Sequence, residues 1–256
     1  MQHQALLENY LRMLKLPTFA QNYQSYAQDA IRTNLSYERY LLALCQAEAE
    51  QREANRIEKA IAHAKFPILK DLSSFDFTAV ENISKQKVLE LAQGGYIAQA
   101  ENIILIGNPG LGKTHIATGL ALAACRQGKR VRFFGVASLV NEMFAANHEL
   151  RLSKLTAQII KLDLVVLDEL GFIPFTKEGS QLLFQLCSDL NERVSVIVTT
   201  NLRFGDWNTI FGDEKMTVAL LDRLTHKGHI LEFMGESYRF RQRMHMGEQA
   251  TSTETG

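Results

Sequence analysis

Gly107-Asn108-Pro109-Gly110-Leu111-Gly112-Lys113-Thr114 has the spacing G-x-x-x-x-G-K-[ST], that of a phosphate-binding loop. The apolar run Ile103–Ile106 leads into it, and a helix-like run, His115–Arg126, leads out. Glycines let backbone N–H groups turn inward around a polyphosphate, and the helix that follows presents its positive end. Lys113 adds a point charge and Thr114 offers a hydroxyl to Mg²⁺. An ordinary Gly/Pro turn between strand and helix is the plain alternative, and the complete motif in this context argues against it. His115, next in line, is expected to be a helix N-terminal residue without a ligand role.

Downstream the pattern alternates short apolar runs with helical ones, as a parallel α/β sheet requires. The expected strands are Ile103–Ile106, Val131–Phe134, Leu164–Leu167, Val194–Val198 and Ile230–Phe233. The stretch Ala137 to Asp163, 27 residues, has room for two helices broken near His148. Leu164-Val165-Val166-Leu167-Asp168-Glu169 is a buried strand ending in two carboxylates. Asp168 is placed to hold the Mg²⁺ shell, and Glu169 to polarise water in a hydrolytic NTPase. Val196-Ile197-Val198-Thr199-Thr200-Asn201 ends another strand in polar side chains. If that strand lies between the other two, Asn201 faces the γ-phosphate, with Thr199 and Thr200 capping or supporting it; otherwise the three form a turn. Arg223, in Leu220-Leu221-Asp222-Arg223-Leu224, reads either as a finger to a neighbouring subunit's γ-phosphate or as a surface arginine tied to Asp222. Beyond the last strand, Arg239 could contact phosphate in its own subunit, while Arg241 and Arg243 could serve nucleic acid or solvent.

Upstream, residues 1–66 form a helical N-terminal domain, with Leu7, Leu11 and Leu14 at helical intervals. Pro17 is expected to break the first helix, a second to cover Phe19 to Arg32, and Ser36 to cap a third that ends before Pro67. On the third, Arg52, Arg56, Lys59 and His63 share one face. They form either a stripe along a phosphate backbone or a solvated face carrying a Glu48–Arg52 pair. Pro67 to Phe77 is a linker whose Phe75 and Phe77 flank an adenine or pin the linker to the core; packing alone favours the second. Ser84–Ala92 is a helix ended by Gly94-Gly95. The domain after the linker runs over 67–246, and the polar tail 247–256 is expected to be disordered.

The 256 residues are 46% hydrophobic and 22% charged, the balance of a soluble globular protein. Net charge is zero, so any affinity for nucleic acid must come from local clusters. The three cysteines, Cys45, Cys125 and Cys187, lack metal-ligand spacing and suit buried thiols in a reduced, cytoplasmic protein. No signal-peptide pattern and no run as long as a membrane span is present.

Over nearly the whole chain, to about Met246, the sequence resembles the IstB-type transposition helper ATPases. These are close kin of the DnaC helicase loader in the AAA+ superfamily. The resemblance rests on Gly107–Thr114, Leu167-Asp168-Glu169, Thr199-Thr200-Asn201, Asp222-Arg223-Leu224 and Ser237-Tyr238-Arg239. Ala64-Lys65-Phe66-Pro67 and Phe75-Asp76-Phe77 match that family's linker. It implies an AAA+ P-loop NTPase domain with a five-stranded parallel sheet of order 5-1-4-3-2, preceded by a small all-α domain. ATP is held by Gly107, Asn108, Pro109, Gly110, Leu111, Gly112, Lys113 and Thr114, and Mg²⁺ by Thr114 and Asp168. Glu169 becomes the catalytic base, Asn201 the first sensor, Arg223 the trans finger and Arg239 the second sensor. Only a short stretch follows Arg239, where larger relatives carry a helical lid. The segment Ala137–Asp163 resembles the extra helix of initiators and helicase loaders, making Arg151, Lys154 and Lys161 candidates for facing DNA beside Arg52, Arg56 and Lys59. The implied partners are double-stranded DNA, a transposase and further copies of the chain, with ATP sites at subunit interfaces. Two alternatives stay open: a DnaC-like loader of a replicative helicase, and a nucleotide-gated DNA-binding scaffold with negligible turnover.

Overall fold

The computed structural model describes residues 2–172, 174–235 and 237. Arg239, Arg241, Arg243 and the expected tail lie outside the described residues. The chain divides into two compact units, Met1–Lys59 and Ala60–Gly256.

The first unit holds α1 (Gln2–Met13), α2 (Pro17–Thr33) and most of α3 (Tyr37–Ala64). Pro17 starts α2 rather than merely ending α1, because proline suits the first helical position, where no N–H is needed. Ser36 Oγ accepts from Arg39 N (3.4 Å) at the head of α3. Buried Glu48 ties α3 to α2, accepting from Thr18 N at 2.9 Å and pairing with Arg52 at 2.7 Å. Cys45 is exposed, unlike buried Cys125 and Cys187. It lies next to buried Leu44, on the side of α3 turned to solvent.

The second unit continues with α4 (Lys85–Leu91), α5 (Gly95–Ala98), β1 (Asn102–Gly107), α6 (Lys113–Arg126), β2 (Val131–Gly135) and α7 (Val136–His148). After these come α8 (Leu152–Ile159), β3 (Leu164–Leu170), α9 (Lys177–Leu190), β4 (Ser195–Thr200), α10 (Asn208–Phe211), α11 (Glu214–Thr225) and β5 (Gly228–Phe233). The five strands are all parallel, in the order β2-β3-β4-β1-β5. That is the 5-1-4-3-2 order of AAA+ domains. Successive strand residues face opposite sides. Ile103, Leu105, Leu164, Val166 and Ile197 join one core with α4 and α6, while Ile104, Ile106, Val165, Val196 and Val198 join another with α7, α9 and α11. Both faces are therefore covered over β1, β3 and β4, which is why these central strands read as apolar runs, whereas the edge strands β2 and β5 alternate buried with more exposed residues. The two helices expected between β2 and β3 are α7 and α8. Among the described residues, no helix is long and apolar enough to cross a membrane.

Candidate functional site

The site lies where β1, β3 and β4 end. Parallel strands bring their carboxyl ends to one edge, so Gly107, Asp168 and Thr200 arrive together from distant parts of the chain. After β1 the loop turns through Gly110 (φ +84°) and Gly112 (φ +90°) into α6. Gly112 is required twice over. Its φ is left-handed, and an added Cβ would stand 2.5 Å from Phe75 Cε2.

Lys113 is buried, and its Nζ donates to Gly107 O (2.6 Å) and Asn108 O (2.8 Å). The ammonium is thus centred in the loop. Thr114 Oγ1 donates to Asp168 Oδ1 at 2.9 Å. A second hydroxyl, Thr199 Oγ1, donates to the same oxygen at 2.6 Å and accepts from Glu169 N at 2.9 Å. Burial raises the Asp168 carboxyl above the usual range; the bonds from Thr199 and Thr114 and the charge of Lys113 act against that rise.

Asp168 and Glu169 are neighbours with opposite fates. Pairing of β3 with β4 passes from Leu167↔Val198 to Leu170↔Thr200, so β3 carries one residue more than its partner. The extra residue is accommodated as a bulge, with Glu169 at φ +62°. Asp168 stays buried while Glu169 is exposed. A non-glycine residue in the left-handed region is uncommon, and here Thr199 holds its N–H. The expectation for Thr199 and Thr200 is thereby refined. Thr199 supports the two acidic residues, whereas Thr200 Oγ1 donates to Leu170 O (2.8 Å) and accepts from Leu202 N (3.1 Å). Asn201 follows β4 directly, and β4 does lie between β3 and β1.

A cavity of about 370 Å³ runs from Gly110–Thr114 to linker residues including Pro67, Ile68, Phe75 and Val80. Phe75 lines it, and packs edge-on against Phe77 (4.8 Å between ring centres) and His115 (5.1 Å). Both phenylalanines also pack on the core, so pinning the linker and bounding the cavity coincide in Phe75. His115 Nε2 lies 2.9 Å from Asp71 O and 3.2 Å from Ser74 Oγ, a linker contact that the sequence does not signal.

The remaining candidates make contacts of their own. Arg223 Nη1 donates to Ala219 O (2.8 Å), and its guanidinium lies over the Phe184 ring at 5.1 Å, on α11 and α9 rather than at the loop. Arg52 Nη2 donates to Lys15 O at 2.5 Å, and Arg56 pairs with Glu53 at 2.5 Å. Exposed Arg151 pairs with Glu149; with Lys154, Glu142 and Gln158 it lines a separate concavity of about 290 Å³ between α7 and α8.

The fold resembles the DnaC helicase loader, with TM-score 0.53 and 20% identity over 64% of this chain and 96% of that one. It also resembles the replication initiator DnaA bound to AMPPCP and single-stranded DNA, with TM-score 0.54 and 15% identity over 67% and 52%. Sequence relatives reach further. The protein named for ATP binding in insertion sequence IS5376 of Geobacillus stearothermophilus is 33% identical over 93% of this chain and 94% of its own length. Its counterpart in insertion sequence IS21 of Pseudomonas aeruginosa is 35% identical, over 94% and 91%. An insertion-sequence protein of Sinorhizobium fredii, also named for ATP binding, is 38% identical over 94% and 81%. The family model of IstB-like ATP-binding proteins matches residues 9–246, which takes in the phosphate loop, the acidic pair and the helical unit alike, and the chain belongs to that family.

Proposed function

We propose that this chain is an Mg²⁺-dependent ATPase that assembles with further copies on double-stranded DNA and helps a transposase to select or prepare its target. The observation that carries the hydrolytic part is the Thr199 bridge. One hydroxyl fixes buried Asp168 and, through its backbone, exposed Glu169, at the strand edge beside the phosphate loop.

In this reading Lys113 exchanges the Gly107 and Asn108 carbonyls for phosphate oxygens, keeping its charge satisfied in both states. The loop N–H groups and the head of α6 bind the remaining oxygens. Thr114 and Asp168 offer a hydroxyl and a carboxylate 2.9 Å apart, an all-oxygen pair that fits a hard divalent cation. Mg²⁺ held there would neutralise phosphate charge. Glu169 accepts the proton of the attacking water, and Asn201 orients that water. Arg223 leaves Phe184 and Ala219 O to reach the phosphate of an adjoining copy, so that assembly completes the site. Arg239 contacts phosphate within its own subunit.

The partner reading rests on kinship, because the relatives named above belong to insertion sequences. Residues 1–66 serve DNA or partner binding in it and 67–246 hold the ATPase. Arg56 and Lys59 on α3, with Arg151 and Lys154 at α8, are its DNA contacts; Arg52 holds the helices together as well. The test compares ATP turnover of wild type and Glu169→Gln, with and without DNA. Turnover stimulated by DNA and lost in the variant supports the reading, and equal near-zero rates favour a scaffold. Capture of a replicative helicase instead of the transposase would replace the partner.

A further inference from the structure

The linker between Pro67 and Val80 has no long element of its own. It carries two short 3-10 turns, Leu72–Ser74 and Phe77–Ala79, so its position is set by what it docks on. It docks on α6. Gly112, His115, Gly119 and Arg126 recur at helical spacing and share one face of that helix. Each of the four meets the linker. Phe75 occupies the space that a Cβ on Gly112 would take, and Leu72 the space at Gly119, where Cδ2 and Cγ would lie 2.5 and 2.6 Å from an added Cβ. Arg126 pairs with Asp71 at 2.7 Å. His115 Nε2 reaches Asp71 O and Ser74 Oγ.

The bonding fixes the tautomer. Asp71 O can only accept, and Ser74 Oγ already donates to it at 2.8 Å, so Nε2 carries the proton and is shared between two acceptors. His115 is next to Thr114, and the residues it holds lead directly to Phe75, which packs edge-on against the His115 ring and lines the same cavity.

We infer that His115 is a positioning residue for the nucleobase: by clasping Asp71 and Ser74 it sets Phe75 and the linker wall against the base, without touching the phosphates. The inference rests on the loop being a nucleotide site, and the experiment separates the two. ADP and pyrophosphate share the diphosphate but differ in the base and sugar, so the full-length protein is titrated with each by calorimetry. His115→Ala is expected to weaken ADP by up to about tenfold, the loss of one hydrogen bond shared between two acceptors, and to leave pyrophosphate within about twofold. His115→Gln, which keeps an N–H donor at similar reach, should restore most of the ADP affinity. Gly119→Ala provides an independent perturbation, since alanine suits a helix better than glycine yet pushes on Leu72. It too should weaken ADP selectively. Unchanged ADP binding in His115→Ala, or equal losses for ADP and pyrophosphate, would overturn the assignment. Wild-type protein that binds neither ligand would overturn the nucleotide site itself, and the inference with it.

Discussion

Replacing Thr199 by valine removes one hydroxyl, keeps the shape, and strikes both acidic residues at once. Thr199 is almost fully buried at 1% exposure, so water cannot take its place. The variant loses the 2.6 Å bond to Asp168, about 1.5–3 kcal/mol for a charged acceptor, and deprives Glu169 N of its partner, about 1 kcal/mol more where that N–H is partly wetted. A gain of about 0.8 kcal/mol from the added methyl group offsets part of this. The net expectation is a loss of about 2–3 kcal/mol, read as a lower urea midpoint at constant slope. The pH dependence has a definite sign. In wild type the raised Asp168 carboxyl contributes stability that is fully present below the ordinary aspartate value and lost as pH rises through its folded value. Removing a donor to the carboxylate raises that folded value further. The destabilisation by Thr199→Val therefore grows from acid to neutral pH. ATP turnover should fall together with stability, because Glu169 loses the bond that fixes its backbone. A variant within about 0.5 kcal/mol of wild type, or one whose deficit deepens on acidification, would refute this account of the bridge.

Two further outcomes bear on separate parts of the molecule. Lys113→Ala should lower ATP affinity by at least about 10–100-fold, the loss of a charge-assisted contact, with titration calorimetry as the measure; unchanged affinity would refute the site. Arg56→Gln with Lys59→Gln should reduce the slope of log affinity for double-stranded DNA against log salt by about 2, leaving Arg52 to its pair with Glu48. An unaltered slope in a filter-binding series would leave these two as a solvated face.

The central strands β1, β3 and β4 were legible because they are buried on both faces, leaving apolar runs that mark them to within a few residues. The phosphate loop was legible for a different reason, since its chemistry dictates both residue types and spacing. The bulge at Glu169 was not. Two adjacent carboxylates at a strand end look the same whether the strand is flat or bulged, and only the β4 register distinguishes them. The seat of the linker was hidden as well. Gly119 reads as a poor helix residue until Leu72 is found in the space beside it. His115 reads as the first turn of α6, with nothing in its spacing to reveal Asp71, which lies 44 positions earlier. The resting place of Arg223 on Phe184 is likewise a tertiary contact, made between two helices that the sequence separates by β4.

The central claim, an ATP site completed between copies of the chain, is tested most directly by mixing two crippled variants. Glu169→Gln keeps an intact Arg223, and Arg223→Ala keeps an intact Glu169. Each alone should hydrolyse ATP far more slowly than wild type, by about 10²–10⁴-fold for the loss of a general base and about 10³-fold or more for the loss of an arginine finger. Mixed one to one with DNA present, they should recover about a quarter of wild-type turnover, because random assembly joins an intact Glu169 to a neighbour's intact Arg223 at about one interface in four. Recovery at that level is the predicted result. No recovery on mixing, or an Arg223→Ala protein that is fully active alone, would contradict a site shared between subunits.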